Sequence, residues 1–153
     1  MPTFFHRVRA ITCLAALSLC TSVAAARDLP RDGVFVYSSF CVSPMSGDVR
    51  GDRITLRRFA DGVTLLYEYS DGETHAVVAN GLVLDDQSGS IRFGLDVDGA
   101  PHATVSAQLA RDGASLAVRG LPFHDGKSDT LPRVPKASAK LADCKPLAHA
   151  GKH

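Results

Sequence analysis

Histidine is the side chain best suited to bind a metal ion or move a proton near neutral pH. Five histidines follow residue 26 of this chain. Neither a cysteine nor a second histidine accompanies His75, His102 or His124 at the close spacing of a metal site. His149 and His153 lie in a C-terminal stretch that we expect to be disordered. We therefore predict solvated histidines, no metal site and no cofactor.

Hydrolytic catalysis would need a nucleophile, a base and a group that orients the base. His124 and Asp125 lie close to Ser128, so the residue types of a triad are present. Sequence neighbours on one turn rarely assemble that geometry. The chain also has no Gly-x-Ser-x-Gly elbow and no Gly-x-x-x-x-Gly-Lys-Ser/Thr phosphate loop. These patterns favour a protein that is not an enzyme, and an enzyme with an unrecognised site is the third of our alternatives.

Tyrosines and arginines on the predicted strands are the candidate ligand-binding residues. Strand alternation places Tyr67 and Tyr69 inward, either lining a ligand cavity or packed in the core with their hydroxyls at a rim. Arg57 and Arg92 belong to an arginine-rich outer face that would suit an anionic ligand or an acidic partner. The alternative is an ordinary solvated sheet face with weak ion pairs, in which Arg57 lies diagonal to Glu68.

The N-terminal residues have the order of a secretory signal peptide. Arg7 and Arg9 precede an apolar run from Ala10 to Val23, and three alanines at 24–26 supply a cleavage site. The apolar run is short compared with the roughly 20 residues that span a bilayer. We expect cleavage after residue 26, a single domain over 27–146, no membrane span in the processed protein, and a periplasmic or secreted location.

Removal of residues 1–26 would leave two of the four cysteines, Cys41 and Cys144. An even pair in an oxidising compartment predicts a disulfide between them. A nucleophilic Cys41 is the alternative, although its sequence neighbours provide no activating context.

Turn signals recur about every 8–14 residues, which is the spacing of an all-β meander. We predict about seven or eight antiparallel strands that close as a small barrel or fold as a sandwich, and the sequence leaves both open. The turn dipeptides are Asp61-Gly62, Asp71-Gly72, Asn80-Gly81, Ser88-Gly89, Asp98-Gly99, Asp112-Gly113 and Asp125-Gly126.

Treating three of these dipeptides as two-residue hairpin turns gives a register in which apolar residues face each other. The expected inward pairs are Leu56 with Tyr67, Tyr67 with Ala76, Leu65 with Val78, Leu109 with Leu116 and Ala107 with Val118.

Two other turns need a different treatment to keep apolar residues inside. At Asn80-Gly81 we predict one bent strand with a bulge, so that Leu82 and Leu84 stay in the core, with Leu84 opposite Phe93. At Asp98-Gly99 we predict a longer loop.

The C-terminal region from Leu121 onward is rich in proline and lysine, which predicts an extended tail. Cys144 should pin this tail beside the first strand, Val34–Cys41. Residues 147–153 are expected to be disordered.

Composition excludes some functions without selecting one. The 153 residues carry a net charge of +1, with 7% aromatic residues and no tryptophan, so there is no basic footprint for nucleic acid. The leading hypothesis is an exported, non-enzymatic β-barrel or sandwich that binds an unidentified ligand. The second is a periplasmic inhibitor or accessory protein that binds a protein partner through a surface loop, Ser43–Asp52 being the candidate.

Overall fold

The computed structural model describes residues 32–135 and 140–145. The predicted signal peptide at 1–26 and the predicted disordered terminus at 147–153 lie outside those residues. The described part consists of strands and their connections, and it includes no helix long and apolar enough to cross a membrane. The disulfide and this finding are compatible with an exported protein.

Residues 32–135 and 140–145 form eleven strand segments, of which two are only two residues long. They are β1 (Gly33–Ser38), β2 (Cys41–Val42), β3 (Val49–Phe59), β4 (Gly62–Gly72), β5 (Thr74–Val78), β6 (Asn80–Asp85), β7 (Ser90–Leu95), β8 (Ala103–Leu109), β9 (Ser115–Arg119), β10 (Ser128–Val134) and β11 (Ala142–Asp143).

The strand order brings the sheet almost back onto itself. β3 pairs with β1 and β2 on one side and with β4 on the other, and β4 pairs with β5. β5 continues through Ala79 into β6, and the order then runs β6–β7–β8–β9–β10–β1. The result is a nearly closed antiparallel barrel. The all-β prediction is confirmed, and the strand count is slightly higher than expected.

The interior of the barrel is filled by apolar side chains that the alternation of the strands points inward. One contiguous core joins all the long strands. Its largest fully buried members are Tyr37, Tyr67, Phe93, Ile54, Leu56, Leu65, Leu95, Leu109, Leu116, Leu131, Val105 and Val118.

Two predicted hairpins keep the expected faces. Leu109 lies opposite Leu116, as predicted for the 112–113 turn. On β3 and β4, Leu56 lies opposite Leu65 and not opposite Tyr67, because Ala60 and Asp61 form the connection in place of Asp61 and Gly62. This shift of two residues leaves the inward face unchanged, since side chains alternate with a period of two.

The predicted register of β4 with β5 is wrong by one residue. The ladder joins Ser70 to Thr74 across a three-residue connection, so Tyr67 faces Val77 and not Ala76. A shift of one residue exchanges the two faces of a strand. Val77 therefore packs against the core, whereas Val78, which we expected to be inside, is 68% exposed.

The bulge at Asn80-Gly81 then restores the inward face. The pairing with β7 shifts register between Asn80 and Val83, and Gly81 has a φ of +57°, a conformation that glycine adopts without steric cost. Leu82 and Leu84 consequently pack against the core, which confirms the single bent strand. Leu84 lies opposite Ile91 and not opposite Phe93.

The region from Leu121 onward is not the extended tail that its prolines suggested. β10 is a barrel strand that pairs with β9 through 128–132 and with β1 through 133–134, and Leu131 is fully buried. Pro132 lies at the last position of the β9 ladder, where the strand passes from one neighbour to the other. A residue without an N–H is tolerated better there than in the middle of a ladder.

The predicted disulfide is confirmed between Cys41 and Cys144, whose Cα atoms are 4.8 Å apart. β11 lies parallel to β2, and the Cys144 N–H donates to the Val42 carbonyl at 2.8 Å. The C-terminal segment is thereby attached to β2, which pairs with β3, and not to the first strand β1, because β1 ends at Ser38 before Cys41.

The face exchange on β5 predicts different effects for two neighbouring substitutions. Val77→Asp should lower the free energy of unfolding by more than about 2 kcal/mol, because it brings an unpaired carboxylate to the core. Val78→Asp, the matched control, should change it by less than about 1 kcal/mol. Urea denaturation of both variants measures the difference, and equal effects would contradict the register.

Replacing Cys41 and Cys144 together by serine should lower the free energy of unfolding by about 2–5 kcal/mol. β10 is held by β1 and β9, so the barrel should keep its far-ultraviolet circular dichroism spectrum while the segment after Pro135 detaches. Chemical denaturation and limited proteolysis measure these effects, with reduced wild-type protein as the reference. A double variant as stable as the oxidised protein would contradict this expectation.

Candidate functional site

The candidate site lies at one end of the barrel, which we call the Asp52 end. β1, β4, β7 and β9 finish there and β3, β5, β8 and β10 begin there, so the end is bordered by the connections 43–48, 96–102 and 120–127 and by the turn at 71–73 in which β4 ends. These connections carry one lysine, Lys127, and several acidic residues. The acidic residues are Asp48, Asp71, Glu73, Asp96, Asp98 and Asp125.

Asp52 places a carboxylate at a core position. On β3 it alternates in phase with Ile54 and Leu56, so its side chain points into the barrel, and the residue is only 3% exposed. The Tyr67 hydroxyl donates a hydrogen bond to Asp52 Oδ1 at 2.6 Å. A buried carboxylate without partners would be strongly unfavourable, so this bond is needed for Asp52 to stay inside.

His124 provides the second partner of this carboxylate. Its Nε2 lies 2.9 Å from Asp52 Oδ2, while the side chain remains partly exposed to solvent. The residues on either side, Phe123 and Asp125, have φ values of 66° and 49°. Left-handed backbone conformations of non-glycine residues cost on the order of 1–3 kcal/mol each. The 120–127 connection thus holds a strained conformation in which His124 meets Asp52.

The pKa values of Asp52 and Tyr67 follow from this burial. Desolvation raises the pKa of Asp52, while the Tyr67 hydrogen bond and the nearby His124 oppose the rise and the charge of Asp129 adds to it. Burial, together with the hydrogen bond and charge of Asp52, raises the pKa of Tyr67 well above its ordinary value of 10.0. Tyr67 therefore stays a hydrogen-bond donor, which fixes one oxygen of Asp52 and leaves the other facing His124.

An aromatic cluster lies beside the carboxylate. The Tyr69 ring stacks on Tyr67 at 5.8 Å between centroids and on His75 at 5.0 Å. Phe123 tilts against Tyr69 at 5.5 Å and is 62% exposed. A large apolar ring is thus presented to solvent at the acidic end of the barrel, in a connection whose backbone is strained.

Within the part of the chain that the structure describes, one group of residues could hold a metal ion. A ligand atom from each of Asp52, His124 and Asp129 lies within 4.8 Å of the others. Asp52 is buried, and His124 and Asp129 are partly buried at the Asp52 end.

The structure brings together only part of the predicted ligand-binding set. Tyr67 and Tyr69 are neighbours at the Asp52 end. Tyr67 is fully buried, so a ligand at this end would not contact it directly, and Tyr67 could affect the ligand only by its hydrogen bond to Asp52. Arg57 is exposed on the outer face of β3, where its guanidinium lies 5.6 Å from the Phe59 ring centroid. Arg92 is exposed on β7 and lines a separate outer groove.

On the outer sheet face, the residues that lie next to Glu68 also differ from those predicted. Arg57 is paired with Thr64 and is not diagonal to Glu68. Arg53 lies opposite Glu68, with an N–O distance of 3.6 Å, because the β3–β4 register is shifted by two residues.

Sequence reasoning did not identify Asp52, His124 or Asp129 as site residues. A signal for Asp52 was present, since a carboxylate in phase with Ile54 and Leu56 on an amphipathic strand is unusual. The chain separation between Asp52 and His124 left no local pattern that joins them. Comparison with models of protein families, with curated proteins and with solved structures gave no significant match.

Replacing Tyr67 by phenylalanine should change how stability depends on pH in alkali. Because burial raises the pKa of Tyr67 above 10.0, the unfolded chain loses this proton before the folded chain does. The group's contribution to stability is complete below pH 10 and is lost as the pH rises above that value. Tyr67→Phe should therefore make the decline of unfolding free energy with pH shallower by up to about 1.4 kcal/mol per pH unit.

Denaturant titrations between pH 9 and 11 measure this slope. At neutral pH, Tyr67→Phe should cost about 1–3 kcal/mol, because Asp52 Oδ1 loses its donor. Burial also raises the pKa of Tyr37, so Tyr37→Phe should change the slope in the same direction. An alkaline slope for Tyr67→Phe identical to that of wild type would contradict the assignment.

Proposed function

We propose that this chain is an exported, non-enzymatic binding protein that takes a cationic ligand with an apolar portion at the Asp52 end. The observation that carries the proposal is the exposed Phe123 ring, held at positive φ against Tyr69 and bordered by acidic connections. A strained backbone that presents an apolar ring to water is a cost that a ligand contact would offset.

The charge of this end supports the choice of ligand. Asp71 and Glu73 lie in the connection before His75, and Asp125 follows His124. Clustered carboxylates attract cations and increase their local concentration. Aromatic ring faces add a cation–π attraction of about 0.5–2 kcal/mol for an ammonium or guanidinium group. An amine or guanidinium on an apolar body therefore complements the site.

The filled barrel supports binding at an end and not within the interior. The core positions of the barrel are occupied by large side chains, including Tyr37, Phe93 and Leu131, all essentially inaccessible to solvent. Small barrels have interiors that side chains can fill completely. A ligand would accordingly contact the rim and its connections.

A protein partner is the second candidate, and one observation favours it. Met45, in the predicted binding loop Ser43–Asp52, is 96% exposed and belongs to a connection at the same end of the barrel. Exposed methionine and phenylalanine side chains are adaptable contacts for a partner's apolar residues. The basic side chains of such a partner would supply the cationic groups.

A catalytic function has less support. The Asp52–His124 pair has the residue types of an orienting acid and a base, but the Nε2 atom of His124 faces the carboxylate. A hydrolase would also need a nucleophile positioned by the remaining ring nitrogen. The proposal therefore assigns the pair a role in holding the 120–127 connection.

Native mass spectrometry of the protein purified from the cells that produce it tests this proposal. Wild type should retain a ligand or partner, and Phe123→Ala should lose it. Phe59→Ala is the matched control, because Phe59 is a 45% exposed phenylalanine near the opposite end of the barrel. Retention should fall as salt is raised, since the attraction between exposed charges is screened.

Two results would contradict the proposal. One is wild-type protein that carries neither a ligand nor a partner. The other is a bound species retained equally by Phe123→Ala and Phe59→Ala. A bound species that is anionic would reject the cationic class while leaving the location to be judged from the variants.

A further inference from the structure

We infer that Asp52, His124 and Asp129 form a binding site for one divalent transition-metal ion of the zinc class. The inference is independent of the proposed organic ligand, because it rests on three ligand atoms of the protein within 4.8 Å of one another. Their elements are brought together only by closure of the barrel: Asp52 comes from β3, His124 from the 120–127 connection and Asp129 from β10.

The distances suit a common ion. With bonds of about 2.1 Å, two ligand atoms of one zinc ion are about 3.0 Å apart at a right angle and about 3.4 Å apart at a tetrahedral angle. His124 Nε2 and Asp52 Oδ2 are 2.9 Å apart, so an ion could replace the proton between them with little movement. Ligands on opposite sides of an ion are about 4.2 Å apart. A rotation of the half-buried Asp129 side chain, whose Oδ1 accepts a hydrogen bond from the Thr130 N–H at 2.7 Å, would complete the set.

The types of ligand atom select the class of metal. One imidazole nitrogen and two carboxylate oxygens suit zinc and its transition-metal neighbours, whereas calcium and magnesium prefer oxygen ligands alone. The Tyr67 hydroxyl on Asp52 Oδ1 is the outer partner that orients a ligating carboxylate. Because His124 is partly exposed, a bound ion would keep a side open to water or to another ligand.

A second aspartate–histidine pair at the same end, His102 with Asp96, provides a comparison for the Asp52–His124 pair. His102 Nδ1 lies 2.7 Å from Asp96 Oδ1, and Asn80 donates to Asp96 Oδ2 at 2.7 Å. Protein groups thus contact both oxygens of the exposed Asp96 carboxylate, as they do at Asp52. What distinguishes the Asp52 pair is that Asp52 is buried and that a second carboxylate, from Asp129, lies beside it, so three residues offer ligand atoms at one point.

Isothermal titration of the full processed chain with zinc chloride, after dialysis against a chelator, tests the site. Wild type should bind one ion at the site, and Asp129→Asn and His124→Asn should each weaken binding at least about tenfold. The visible spectrum of the cobalt-substituted protein should change in both variants. Affinity should fall as the pH is lowered, because His124 must be deprotonated to bind.

Two controls separate this site from other histidines. His102→Asn removes the exposed pair, and the double variant His149→Asn/His153→Asn removes the two C-terminal histidines. Both should bind zinc as wild type does. Asp129→Asn changes a partly buried side chain by one atom, so it keeps the test valid if His124→Asn fails to fold.

Three results would overturn the inference: wild type that binds no zinc, Asp129→Asn with unchanged affinity, or binding lost in either control. A preference for calcium over zinc would reject the class of metal. The titration contains no organic ligand, so its failure leaves the proposed function standing, and failure of the native mass spectrometry leaves the metal site standing.

Discussion

The buried Asp52 carboxylate is the constraint on which the candidate site depends. Its phase on β3 sends it into the barrel, where an unpaired charge would cost several kcal/mol. Tyr67 and His124 are the groups that compensate, and each comes from a different element. Phe123 and Asp125, the two non-glycine residues of the described chain with positive φ, flank the histidine that reaches the carboxylate.

β3 carries a second buried charged residue with a related arrangement at its other end. Arg58 is 7% exposed, and its guanidinium contacts Asp86 of the β6–β7 connection at 2.8 Å. The apolar part of the strand, Ile54 and Leu56, lies between the two charges. Each end of the barrel is therefore closed by a contact between a charge on β3 and a side chain from a distant connection. Paired charges of this kind fix how the connections sit over the core.

The observed strand registers agree with the sequence pattern at some hairpins and differ from it at others. The 112–113 hairpin was predicted correctly, because the 110–114 connection keeps the register in which Leu109 faces Leu116. The 71–72 hairpin was not, since a connection one residue longer exchanges the faces of β5, and the bulge at Asn80-Gly81 exchanges them again. Two compensating irregularities leave the apolar content of the core unchanged, so hydrophobicity alone cannot detect them.

The sequence by itself determined the all-β class, the pairing of Cys41 with Cys144 and the bent strand through Asn80-Gly81, because alternation, cysteine count and turn chemistry are local or unique features. The alternation of β3 also predicts that Asp52 points inward, but it does not show which residues the carboxylate contacts. Only the tertiary structure decided that the barrel nearly closes, that residues 128–134 complete it, and that His124 and Asp129 meet Asp52. The physical reason is that closure depends on contacts between β1 and β10, which are about 100 residues apart. No local preference encodes a contact between residues so distant in the chain.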